Sequence, residues 1–106
     1  MKLKCFAFDL DGTLCSLTDG KYQEAVPFPK RIAHVNSLHD AGHRVIIFTA
    51  RGATSKRDLR EFTLEQLNSW GVRFDDLYTS KPHFDILVDD KAISDVDYFR
   101  GVTGDD

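Results

Sequence analysis

Cysteine is scarce: the 106 residues contain only two, Cys5 and Cys15. Two are too few for a disulfide framework, and neither stands in a CxxC zinc pattern. Both are expected to be reduced thiols in a cytoplasmic protein. Long apolar runs are also missing, since nothing approaches the ~20 residues that a membrane span requires. The opening stretch MKLKCFAFDLDG starts basic but meets Asp9 after a few apolar residues, so no signal-peptide core forms. A net excess of positive charge is missing as well. A net charge of −3 gives no general attraction to a nucleic-acid backbone, whose binding usually rests on clustered Lys and Arg, so nucleic acid and membrane are both unexpected partners. A small anionic substrate would need local basic help. There is no internal repeat, low-complexity tract or linker.

What is present fits one compact α/β domain spanning residues 1–106. Hydrophobic residues make up 42% and charged residues 29%, and eight Phe with one Trp supply bulk for a core. Leu3–Leu10 is a short apolar run ended by the turn Asp11-Gly12-Thr13, as expected for a buried strand. Gly12–Pro29, with Gly20, Pro27 and Pro29, has neither helical nor strand period and predicts a loop or flap. Pro29 suits the first turn of a helix in which Ile32, Val35, Leu38 and Ala41 recur before Gly42. Val45-Ile46-Ile47-Phe48 predicts a second strand, buried on both faces.

Ser55-Lys56-Arg57-Asp58 resembles a capping box for a second helix in which Leu59, Phe62, Leu67 and Trp70 follow at helical intervals, with Phe62, Leu67 and Trp70 as its core stripe. Val72–Tyr78 predicts a weak third strand, Phe84–Val88 a stronger fourth, and Ser94–Phe99 a closing helix. Gly101–Asp106 is expected to be a loose acidic tail. Strands alternating with helices imply βαβ units and a Rossmann-like parallel sheet with right-handed crossovers.

In open α/β sheets, ligands bind beyond the carboxyl ends of the strands. The first predicted strand delivers Asp9 and Asp11 there, the second Thr49 and Arg51, and the fourth Asp89 and Asp90, with Lys81 in the loop before it. Four carboxylates at one edge repel unless a cation sits among them, and hard oxygen ligands suit Mg2+. A phosphate ester would complete the metal shell, with Lys81, the Thr49 hydroxyl and loop amides on its other oxygens. Leu10 and Ala50 are neighbouring positions expected to contact phosphate or substrate, and Arg51 is expected either to do the same or to stand as a solvent-exposed charge before the second helix. At an extended strand end, positions i and i+2 point the same way, so Asp9 can attack one phosphorus while Asp11 handles protons.

The segments DLDGTLC, IIFTARG, SKP and ILVDDKA resemble, in order, the four motifs of the haloacid dehalogenase superfamily, from Asp9 to Lys91. The resemblance implies that Asp9 forms an aspartyl-phosphate and that Asp11 is general acid and then general base. It further implies that Thr49 binds the transferring phosphoryl group and that Lys81 neutralises it and positions Asp9. Asp89 and Asp90 would complete the magnesium site, to which Asp11 adds a backbone carbonyl. The intervals Asp11–Thr49 and Thr49–Lys81 are each filled by one predicted helix and its loops, so the chain resembles a capless member. Substrate choice would then fall to the flap Cys15–Val26, with Lys21, Tyr22 and Gln23, or to a second subunit of a homo-oligomer covering the site. YQEAVPFP, TARG, QLNSWGV and DDKA resemble the small phosphatases of bacterial capsule and surface-polysaccharide genes, which implies a phosphorylated sugar or related metabolite as substrate.

Two rival functions use similar residues. A phosphate-accepting signalling receiver also sets acids, Thr and a Lys-Pro pair at a sheet edge, but its acid pair follows the first strand and its acceptor a middle one. A polynucleotide 3′-phosphatase would keep the chemistry and change the substrate, and the acidic balance weighs against it. Single residues carry less: DxDGT alone suits a turn, and Thr49 alone suits a strand end. The four His show no metal-ligand spacing. Cys15 has no His placed to activate it and is assigned to packing.

Overall fold

The computed structural model describes residues 2–52 and 58–103. In chain order the elements are β1 (Cys5–Asp9), α1 (Pro29–Asp40), β2 (Arg44–Phe48), α2 (Arg60–Ser69), β3 (Asp76–Tyr78) and α3 (Asp95–Thr103). The three strands form one parallel sheet in the order β1-β2-β3. The protein is therefore a small α/β fold, compatible with a Rossmann-like arrangement.

The register explains where the core lies. Phe8 pairs with Ile47, and Ile47 with Leu77, so these three side chains line one face of the sheet, with Phe6 and Val45 beside them. Right-handed crossovers with strands in this order put α1 and α2 on the same face. Ile32 and Val35 from α1, Leu67 from α2 and Phe99 from α3 complete that cluster. The opposite face is barely covered: Cys5, Ala7 and Tyr78 are exposed, while Ile46 and Phe48 are half-buried. Strand β2 is thus buried fully on one face and only partly on the other.

Local signals account for the helices. Pro29 sits in the first turn of α1, where its fixed φ and missing N–H cost nothing, and Gly42 closes the helix at φ +98°. Helix α2 begins where the Asp58 carboxylate accepts the Arg60 N–H at 3.1 Å. The other members of the expected capping box, Ser55, Lys56 and Arg57, lie outside the described residues. Of the expected α2 stripe, Leu67 is fully buried and Trp70 packs partly against the core, whereas Phe62 stays outside it beside Gln23. Helix α3 docks through Phe99, which stacks on Phe8, and through the Arg31–Asp95 ion pair at 2.7 Å.

Three expectations change. The third strand is only Asp76–Tyr78, because Val72 is still tied to α2 through Leu67 and the Asp75 carboxylate accepts the Val45 N–H at 2.8 Å. Residues 84–88 form no strand; Ile86 and Val88 are 82% and 92% exposed. Only residues 79–83 separate Phe84 from the end of β3, whereas a parallel crossover takes roughly a dozen or more. The expected tail from Gly101 instead continues α3 to Thr103, and Gly104–Asp106 lie outside the described residues. Among the described residues no helix is long and apolar enough to cross a membrane.

Candidate active site

Strand β1 ends on Asp9, and the chain turns sharply there. The Leu10 carbonyl accepts the amides of Thr13, Leu14 and Cys15, while Leu10 and Leu14 are fully buried and anchor the turn. Gly12 takes φ +86°, which is why the turn needs glycine; a Cβ there would lie 3.2 Å from Cδ2 of the exposed Leu17, which is free to shift. The Thr13 carbonyl accepts from the buried Arg31 at 3.1 Å, which ties the turn to α1. The flap closes through the Ser16 amide on the Val26 carbonyl, with a 3-10 turn at Tyr22–Glu24.

At the carboxyl end of β1 the Asp9 carboxylate is partly open, with 34% of its side chain exposed. Lys81 Nζ donates to its Oδ1 at 2.9 Å and the Thr13 hydroxyl to its Oδ2 at 3.2 Å. The Lys81 ammonium also lies 4.5 Å from the Phe48 ring and 5.2 Å from the Phe84 ring, two cation–π contacts that hold it in place. Lys81 is thus brought to Asp9 as the sequence predicts, across 72 positions of chain. Thr13, the threonine of DLDGT, joins this pair; its place in the motif was signal enough, although it was assigned only to the turn.

Asp11 is held differently. Arg51 Nε donates to its Oδ2 at 2.9 Å and Nη2 to its Oδ1 at 2.8 Å, a bidentate pair. The Arg51 side chain has 0% exposure and that of Asp11 19%. Arg51 Nη1 donates to Gln66 Oε1 at 2.7 Å and to the Thr63 hydroxyl at 3.4 Å, and Nη2 also reaches Cys15 Sγ at 3.9 Å. The Tyr22 ring covers the guanidinium at 4.6 Å from its centroid. Arg51, expected either to contact phosphate or substrate or to stand solvent-exposed, is instead committed to protein groups. Gln66 was not anticipated, because nothing in a helix pattern marks one glutamine as a partner of a distant arginine.

Thr49 is 1% exposed, and its Oγ1 accepts the Arg51 backbone N–H at 3.1 Å. Its own hydroxyl hydrogen remains free to meet another acceptor. Ala50 is half-buried beside it. Leu10 is fully buried, so only its main chain can address a ligand. Asp89 and Asp90 stand on the exposed segment, where the Asp89 carboxylate accepts the Lys91 amide at 2.6 Å. The expected metal set does not assemble. Among the described residues no three of His, Cys, Asp and Glu are grouped to hold an ion; the Asp11 carboxylate is taken by Arg51, which leaves only its backbone carbonyl for a metal.

Burial, then the neighbouring Asp11 charge, push the Cys15 thiol up to about 12, against the opposing pull of Arg51. Cys15 therefore stays protonated, donating weakly to Asp11 Oδ1 at 3.5 Å, and is no nucleophile. Two shallow hollows lie elsewhere: one of about 410 Å³ between Pro29, Ile32 and Trp70, the other of about 300 Å³ between Gln23 and Phe62. Neither is lined by Asp9, Asp11 or Lys81.

A crystal structure of a structural-genomics target from Vibrio cholerae superposes with a TM-score of 0.80 at 24% identity, covering 91% of this chain and 87% of that one. At that identity the likeness speaks for the fold. No protein-family model matches the chain, and no curated protein matches it.

Proposed function

We propose that the chain is a phosphomonoester hydrolase with a haloacid-dehalogenase-like fold, working through an aspartyl-phosphate on Asp9, with a small phosphorylated sugar or related metabolite as substrate. The setting of Asp9 carries this reading. A partly open carboxylate at a strand's carboxyl end is paired with an ammonium at 2.9 Å, and a second carboxylate follows two residues later.

In the first step an Asp9 oxygen attacks phosphorus, the ester P–O bond breaks, and the leaving oxygen takes a proton from the Asp11 carboxyl. Lys81 balances charge beside the transferring group, whereas Thr49, 1% exposed, would have to be uncovered to meet one of its oxygens. In the second step water attacks phosphorus and gives its proton to Asp11. The bond from Asp9 to phosphorus then breaks, releasing inorganic phosphate.

The motifs imply magnesium, which Asp9, the Asp11 carbonyl, Asp89 and Asp90 would hold; these acids are not grouped among the described residues, so no step here is routed through it. A calorimetric titration with magnesium chloride tests that expectation directly. The flap, or a second copy of the chain in a homo-oligomer, would cover the open site.

The deciding experiment follows release of phosphate from p-nitrophenyl phosphate, a panel of sugar phosphates and a DNA 3′-phosphate, with wild type and Asp9→Asn. Wild type should turn over and Asp9→Asn should not, with its melting curve retained. A folded, active Asp9→Asn protein overturns the mechanism. A long-lived phosphoprotein without turnover would favour the signalling receiver instead.

A further inference from the structure

We infer that Arg51 is a positioning residue that orients Asp11 for proton transfer and makes no contact with the substrate phosphate, while Tyr22 of the flap roofs the Arg51–Asp11 pair. This rests on the phosphatase reading of the same site.

A guanidinium has five N–H donors in a fixed fork. Here Nε–H serves Asp11, the two on Nη1 serve Gln66 and Thr63, and the two on Nη2 serve Asp11 and Cys15. None is left for a phosphate oxygen. The side chain is also closed to solvent, and its face is covered by the Tyr22 ring. A ligand could reach the guanidinium only by displacing protein contacts made from three sides.

The same geometry suits orientation of Asp11. A bidentate pair fixes both the distance and the plane of a carboxylate, which a lysine, as a point charge, does not do. Gln66 adds a link to the flap: its Oε1 accepts from Arg51 while its Nε2 donates to the Tyr22 carbonyl at 2.8 Å. The position of Asp11 is thereby tied to helix α2 and to the flap turn together.

Proton bookkeeping sets the test. With both oxygens accepting from Arg51, Asp11 is in the form that receives a proton from water in the second step. In the first step it gives one to the leaving oxygen, and one Arg51 contact opens. An alkyl ester needs that proton, whereas p-nitrophenolate leaves without it. The value of kcat/KM reports only the steps through departure of the first product, so it isolates this need.

The experiment measures kcat/KM for glycerol phosphate and p-nitrophenyl phosphate with wild type, Arg51→Met, Arg51→Lys, Asp11→Asn and the Asp11→Asn/Arg51→Met pair. Arg51→Met should lose about 100-fold on the alkyl ester, at the low end for general acid catalysis, and at least about tenfold less on the aryl ester. Arg51→Lys should recover part of the alkyl loss. On the Asp11→Asn background the Arg51 substitution should add no further bias between the esters.

Equal losses on both esters, together with weakened inhibition by inorganic phosphate, would mean that Arg51 touches the phosphoryl group and would overturn the inference. An undiminished bias on the Asp11→Asn background would overturn it too. If Arg51→Met does not fold, Arg51→Lys and Tyr22→Leu carry the same comparison, Tyr22→Leu with a smaller loss and the same bias. Failure of the phosphatase reading looks different: wild type then cleaves neither ester, or Asp9→Asn remains active.

Discussion

Replacing Asp11 by Asn tests the buried ion pair through stability, independently of turnover. The Arg51 side chain has no exposure, so removing the charge of Asp11 leaves a guanidinium without its counter-charge in a place water does not reach. Breaking a buried pair from one side costs about 3–5 kcal/mol. Asparagine keeps one oxygen able to accept from Nε or Nη2, which puts the expected loss near the lower end, about 3 kcal/mol. For a domain of this size that is a fall in Tm of roughly 12 °C or more. Arg51→Met removes the other partner, but Asp11 keeps 19% exposure and can turn to water, so about 1–2 kcal/mol is expected. The double variant leaves neither charge buried, so the single losses should not add, with a coupling of about 1.5–3 kcal/mol. Urea unfolding followed by Trp70 fluorescence and far-UV circular dichroism measures all four proteins, and an unchanged m-value confirms that stability alone has moved. A loss below about 1 kcal/mol for Asp11→Asn, or additivity within about 0.5 kcal/mol, would refute the pair as a buried unit.

Two further predictions concern the docking of α3. Phe99 is its buried anchor against Phe8, so Phe99→Ala should cost about 3–5 kcal/mol in the same urea experiment; a loss under about 1 kcal/mol would mean that α3 contributes little to the fold. His34 lies 2.8 Å from the Tyr98 hydroxyl on α3, and burial lowers its pKa from the ordinary 6.5. Its neutral form is therefore favoured in the folded state, and the stability this supplies is complete above pH 6.5. As pH falls below that value the unfolded chain takes up the proton first, and the contribution is lost until the folded value is passed. The difference in stability between wild type and His34→Gln should shrink on acidification, and a difference that is constant with pH would contradict the burial of His34.

Much of the fold was legible because its signals are local. The spacing of Ile32, Val35 and Leu38 with Pro29 before and Gly42 after marks α1, and the run Val45–Phe48 marks β2. Those patterns reflect which side chains a helix or strand can bury, and they need no knowledge of neighbours. The Phe84–Val88 run shows where this stops. Its residues favour a strand, but a strand is a pairing, and the short connection from β3 leaves the run unpaired and exposed among the described residues. With it, Asp89 and Asp90 are exposed, and among the described residues they form no cluster with the acids they were expected to join.

At the site, the sequence by itself determined the chemistry available: two carboxylates two positions apart at the end of a strand, and a lysine in a later loop able to meet them. The tertiary structure alone decided who partners whom. It set Lys81 on Asp9 and gave Arg51 to Asp11, through Gln66, Thr63 and Tyr22, which no local pattern connects. A charged side chain leaves water only where others supply its hydrogen bonds, and that supply depends on the packing of α2 and the flap around Arg51.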